Sequence, residues 1–92
     1  MKRLAIININ TKEQLKYVLD KVDHIFFDSL ENVINSMIIY KPICIYVEDN
    51  KYTGWDQMVN FNSNDDNYVD IKNFYNRKIN KLKTNKLKWV NL

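Results

Sequence analysis

The chain alternates between short apolar runs and segments in which apolar residues return every three or four positions. Leu4–Ile9 (LAIINI) is short, apolar and β-branched, which predicts a strand. Thr11 follows, with Gln14 three residues on. Each can satisfy an orphan backbone donor of the other's turn, so a capping box opens a helix here. Leu15, Val18, Leu19 and Val22 then fall at i, i+3, i+4 and i+7, one face of that helix. His24–Phe27 (HIFF) reads as a second strand.

Asp28 or Ser29 caps the next helix, and Glu31 sits in its first turn, where negative charge meets the positive end of the helix dipole. Its apolar stripe is Leu30, Val33, Ile34, Met37 and Ile38. Pro42 bounds it, because the residue before a proline is driven out of the helical region. Ile43–Val47 (ICIYV) lacks polar alternation, which predicts a strand buried on both faces in the middle of a sheet.

Residues 49–54 (DNKYTG) are turn-forming, and Gly54, the only glycine, is free to take a positive φ. Trp55, Gln57, Val59 and Phe61 alternate with Asp56, Met58 and Asn60. This reads as a strand paired in a hairpin with the preceding one, with Trp55, Val59 and Phe61 inward. Residues 62–67 (NSNDDN) form a polar loop leading to a helix cap at Asp65 or Asp66. A last helix is expected from about Tyr68 to Leu82, burying Tyr68, Ile71, Tyr75, Ile79 and Leu82, with Phe74 at the edge of that stripe. Lys86–Leu92 (KLKWVNL) reads as a final edge strand or an ordered tail.

The predicted fold class is α/β. It has a small mixed sheet in the order β-α-β-α-β-β-α, a C-terminal edge strand as an addition, and helices packed on the sheet. The βαβ units imply parallel strands with right-handed crossovers, and the hairpin makes the sheet mixed. Residues 1–92 form a single α/β domain with a small core. Hydrophobic residues at 46% and charged residues at 27% place the chain among globular rather than disordered proteins.

Charge is strongly segregated. Residues 48–70 carry one basic and six acidic groups, whereas residues 71–92 carry seven basic and no acidic groups. Each region can attract a partner of opposite sign. Cys44 is the only cysteine, so no internal disulfide framework forms and a reducing, cytoplasmic setting is expected. The first residues begin like a signal peptide, but the apolar run stops at Ile7 and no cleavage site follows. No apolar run reaches the length of a membrane span, so no membrane partner is expected.

Several constellations invite a chemical reading. The segment Asp49–Asn67 is crowded with Asp and Asn, but as a calcium loop it fails. Starting at Asp49 it places Gly54 at the sixth position, yet Lys51 stands at the third and Asn60 at the twelfth. Asp28, Glu48 and Asp49 lie at predicted strand ends, where a Mg²⁺ ion could support phosphoryl transfer. The same residues also have ordinary duties as a helix cap and a turn. His24 is the sole histidine, and its neighbour Asp23 would point to the opposite face of a strand, so it is not expected to orient the ring for acid–base work. No glycine-rich phosphate loop exists, and no cofactor is expected.

Two binding faces remain. An acidic face of Tyr52, Trp55, Asp56, Asp65 and Asp66 could dock on a basic groove, with aromatics as anchors. A basic face of Lys72, Arg77, Lys78, Lys81, Lys83, Lys86, Lys88 and Trp89 could hold a nucleic-acid backbone. Solvated turns and a lysine-guarded helix are the plainer explanations of both. Asparagine, isoleucine and lysine, with fourteen, eleven and twelve copies, all have AT-rich codons, which suggests an AT-rich genome such as that of a low-GC bacterium or one of its phages and makes a phage or mobile-element protein a plausible reading.

The expectation is therefore a small non-enzymatic intracellular protein that binds and modulates or inhibits a macromolecular partner by steric and electrostatic occlusion. A phage accessory protein acting on a host nuclease or defence complex is one example. The alternatives are a nucleic-acid-binding module using the basic C-terminal region and a Mg²⁺-dependent phosphoryl-transfer enzyme or nuclease. A strand at Lys86–Leu92 could also pair with a second copy to give a homodimer.

Overall fold

The computed structural model describes residues 3–64 and 67–74 of the chain. It is an α/β fold built on a mixed four-stranded sheet. The elements are β1 (Leu4–Ile9), α1 (Lys12–Lys21), α2 (Leu30–Ile38), β2 (Ile43–Glu48), β3 (Lys51–Gln57), a 3₁₀ turn (Met58–Asn60) and β4 (Asn67–Asp70), with residues 71–74 helical. The strand order is β3-β2-β1-β4.

Local signals set most of these boundaries. Thr11 and Gln14 close the predicted capping box, and Ser29, not Asp28, is the N-cap of α2. Leu15, Val18 and Leu19 are buried from α1, and Ile34, Met37 and Ile38 from α2. They meet Ile6, Ile9, Ile43, Ile45 and Val47 on one face of the sheet, joined by Ile71. Each fully buried Leu or Ile contributes about 1.5–3 kcal/mol relative to exposure. The other face buries Ala5, Ile7 and Cys44 under Tyr46, Met58 and Phe61. β2 is thus covered on both sides, as its unbroken apolar run predicts.

Four expectations are corrected. First, His24–Phe27 is not a strand of the sheet. Asp23 alone bridges to Lys51 in parallel, through Asp23 N–H to the Asn50 carbonyl (2.8 Å) and Tyr52 N–H to the Asp23 carbonyl (2.7 Å). An irregularity lies one residue further along β3. Tyr46 pairs with Gly54 while Val47 pairs with Tyr52, so Thr53 is an extra, bulged residue. A bulge breaks the alternation of outward donors and acceptors, so a neighbouring strand cannot continue along it.

Second, β1 and β2 pair antiparallel, not parallel. With no strand at residues 24–27, α1 and α2 follow each other directly, and β2 enters the sheet from the opposite end. Third, the hairpin turn is the two-residue pair Asp49-Asn50, with φ of 51° and 65°, and Gly54 lies within β3 without a positive φ. Two left-handed residues suit the twist of a tight hairpin, and Asp and Asn tolerate that conformation. Fourth, β3 ends at Gln57, leaving Val59 exposed, and Tyr68 belongs to a strand, not a helix. That strand, β4, pairs with β1 in parallel. The chain leaving β3 starts across the face opposite the helices, which seats Met58 and Phe61 there. The expected helix beyond Phe74 and the edge strand at Lys86–Leu92 lie outside the described residues.

Candidate functional site

Two regions concentrate side chains with chemical potential. The first is the carboxyl end of the parallel pair β1 and β4, the usual position of a ligand site in an open α/β sheet. β1 bulges between Ile6 and Ile9, and Asn8 takes a left-handed φ of 64°. Its Nδ2 donates to Asp70 Oδ2 at 2.7 Å, and Asp70 Oδ1 accepts from the Lys72 N–H at 2.8 Å. Asn10 Nδ2 donates to the Asn8 carbonyl at 3.1 Å. The N–H groups of Asn10 and Thr11 donate to Gln14 Oε1 at 2.8 and 3.2 Å. The Asn8 amide holds the Asp70 carboxyl below its ordinary range; burial pushes the other way, and the Lys72 N–H and ammonium group add smaller downward contributions. These donors and acceptors are consumed in closing a bulge and the starts of two helical segments. The network is a clasp across the end of the sheet.

The second region is the outer edge of β3. The Thr53 bulge places Tyr52 and Trp55 on the same face, opposite Val47 and Ile45, although they are three residues apart. Phe26 stands edge-on to Tyr52 at 5.1 Å, and His24 stacks on Phe26 at 5.0 Å. Burial raises the Tyr52 phenol above its ordinary pKa. Tyr40, just past α2, tilts against Trp55 at 5.7 Å. The residues alternating with His24 and Phe26 have no such cover: Ile25 is 88% exposed and Phe27 is fully exposed. Asp23 is tied to the hairpin tip beside Glu48 and Asp49, and Asp28 follows Phe27.

The sequence-derived site residues distribute as follows. Of the acidic face, Tyr52 and Trp55 lie on the helix side of β3 and Asp56 on the other, opposite Cys44. Asp56 Oδ1 accepts from the Gln57 N–H (2.7 Å) and Asn60 Nδ2 (3.0 Å), which ties down the 3₁₀ turn. Asp56 thus does not join its supposed aromatic partners, because adjacent strand residues point to opposite faces. Asp65 and Asp66 lie outside the described residues. Of the basic face, Lys72 is exposed at the start of the last helical segment, and Arg77, Lys78, Lys81, Lys83, Lys86, Lys88 and Trp89 lie outside the described residues.

Asp28, Glu48 and Asp49 do not converge, and no cluster of three His, Cys, Asp or Glu that could hold a metal exists among the described residues. Asp28 instead accepts from Asn32 Nδ2 (2.9 Å) and the Ser29 N–H (2.8 Å), and those bonds lower its pKa. His24 Nδ1 faces the Val22 carbonyl at 3.1 Å. Cys44 is buried. Among the described residues, no helix is long and apolar enough to cross a membrane.

Sequence reasoning missed Ile25, Phe27 and Tyr40 as surface residues. The available signal was their setting. HIFF occupies the short interval between the end of one helix and the cap of the next, where a connection is as natural as a strand. Comparison with known proteins finds no matching family model, no matching curated protein and no matching solved structure.

Proposed function

We propose that this chain is a small binding protein that acts by docking on a protein partner through the β3 edge. The observation that carries this reading is the exposure of Ile25 and Phe27 in one short connection. Large apolar side chains left in water beside an aromatic row are the usual anchors of an interface. Covering either one would contribute about 1.5–3 kcal/mol. Asp23 and Asp28 flank this connection in the sequence, and the Asp23 backbone is bonded to the hairpin tip that carries Glu48, Asp49 and Lys51, so a complementary surface would be an apolar recess with a polar rim. Nothing in this geometry favours a nuclease over another protein with such a recess.

The test is capture of a partner by tagged full-length chain, comparing wild type with Ile25→Ser/Phe27→Ser. Selective loss of one captured species from the double variant, with an unchanged thermal midpoint, is expected. Equal capture by both would contradict the reading. A second reading rests on the seven basic and no acidic groups of residues 71–92, which suit a phosphate backbone. It predicts a mobility shift of DNA or RNA that weakens steeply with salt. No shift at low salt would remove it.

A further inference from the structure

We infer that the partner adds an extended main-chain segment to the outer edge of β3 between Thr53 and Gln57, an inference that rests on the docking surface proposed above. β3 is the last strand of the sheet on that side. Its first half is engaged from outside. The Asp23 carbonyl accepts from the Tyr52 N–H at 2.7 Å, and the Asp23 N–H donates to the Asn50 carbonyl at 2.8 Å. The Tyr52 N–H therefore points away from β2. In a strand of L-residues, the face a side chain takes fixes the edge to which its own N–H and C=O point, because both alternate with the same period. Trp55 shares the face of Tyr52, so its N–H and C=O also point outward.

Among the described residues, no backbone group outside the sheet bonds to either of them. Gln57, two residues on, presents its carbonyl outward in the same way, while its N–H is already taken by Asp56 Oδ1 at 2.7 Å. The edge past the bulge thus offers one donor and two acceptors in a row. Such a row specifies its ligand, because an extended peptide backbone supplies the complementary two donors and one acceptor. Asp23 shows that this edge accepts main-chain pairing, and residues 24–27 leave the rest of it unfilled. Trp55, Asp56 and Gln57 are each partly exposed, and a Cβ added at Gly54 would meet nothing within 4 Å, so the side chains of an added strand have room. The residue set opposite Trp55 lies beside its indole, which favours an apolar or β-branched side chain there.

The experiment is a nuclear magnetic resonance titration of the full wild-type chain with the peptide amide Lys-Val-Lys-Val-Lys-Val-Lys. The control is the same peptide N-methylated at every residue, which keeps the charge and cannot donate a main-chain bond. Saturable shifts centred on the Trp55 and Gln57 amides are expected from the first peptide. Exchange of the Trp55 amide should slow about fivefold or more at saturation, and the N-methylated peptide should bind about tenfold more weakly or worse. Equal binding of the two peptides, shifts centred away from residues 53–57, or no saturable binding at about 10 mM peptide would each overturn the inference. If peptide binding fails while partner capture still depends on Ile25 and Phe27, the inference falls and the docking surface stands. If peptide binding holds while capture ignores Ile25 and Phe27, the docking surface falls instead.

Discussion

Among the described residues, the carboxyl end of β1 and β4 and the outer edge of β3 present opposite kinds of surface. At the first, Asn8, Asn10, Gln14 and Asp70 look like a site by residue type, yet hydrogen bonds within the chain engage each of them. At the second, Ile25 and Phe27 carry no polar chemistry at all, yet they are left in water. A polar group that closes a bulge or a helix end contributes to folding and has less left for a ligand. An exposed apolar side chain contributes little to folding and retains its full drive to be covered. The contrast separates residues that hold the fold from residues that are free to bind.

The largest effect should come from striking the clasp at Asn8. Asn8→Val forces a β-branched residue into the left-handed region and removes the bond to Asp70. A loss of about 2–3 kcal/mol is expected, read by urea unfolding. Little or no loss would mean that the bulge relaxes and the clasp is incidental.

Asp70→Ala should cost about 1 kcal/mol, the usual value of a lost cap. Its folded pKa is depressed, so its contribution is present above the unfolded value of about 3.9 and is lost as pH falls through the lower folded value. The stability of Asp70→Asn should therefore fall less steeply than wild type below about pH 4. Superposable acid limbs would contradict the role given to this carboxylate.

Deleting Thr53 tests why the β3 edge is open. Without the bulge, Tyr52 and Trp55 still share a face, but the outward bonding pattern becomes regular. The segment after Asp23 should then zip onto β3, slowing hydrogen exchange at the Ile25 amide about fivefold or more. Unchanged exchange would show that something other than the bulge keeps residues 24–27 out of the sheet.

The smallest effect on stability belongs to the candidate interface. Phe27→Ser should change unfolding free energy by less than about 0.5 kcal/mol. A loss of 1 kcal/mol or more, roughly the cost of a structural residue, would place Phe27 with the clasp.

The sequence carried the local features well, because capping boxes, apolar stripes and an unbroken apolar strand are written in neighbouring residues. Thr11 with Gln14, the stripe of α2 and the double-sided burial of β2 were all legible. The topology was not. A bulge at Thr53 interrupts the edge along which HIFF would have paired, and with no strand there β2 runs antiparallel to β1. No pattern in HIFF itself encodes what its neighbour's edge will accept. The candidate site inherited that error. Tyr52 and Trp55 were picked out as anchors, but their companions are Phe26 and Tyr40 rather than Asp56.

The most direct test of the division between clasp and open edge is site-specific photo-crosslinking in cells. A benzophenone side chain is placed in turn at Phe27, at the similarly exposed Val59 in the 3₁₀ turn that follows β3, and at Asn10 in the clasp. A discrete crosslinked protein at position 27, with neither Val59 nor Asn10 yielding that species, is the result expected. The same product from all three positions, or a product at Asn10 and none at Phe27, would contradict the assignment of binding to the β3 edge.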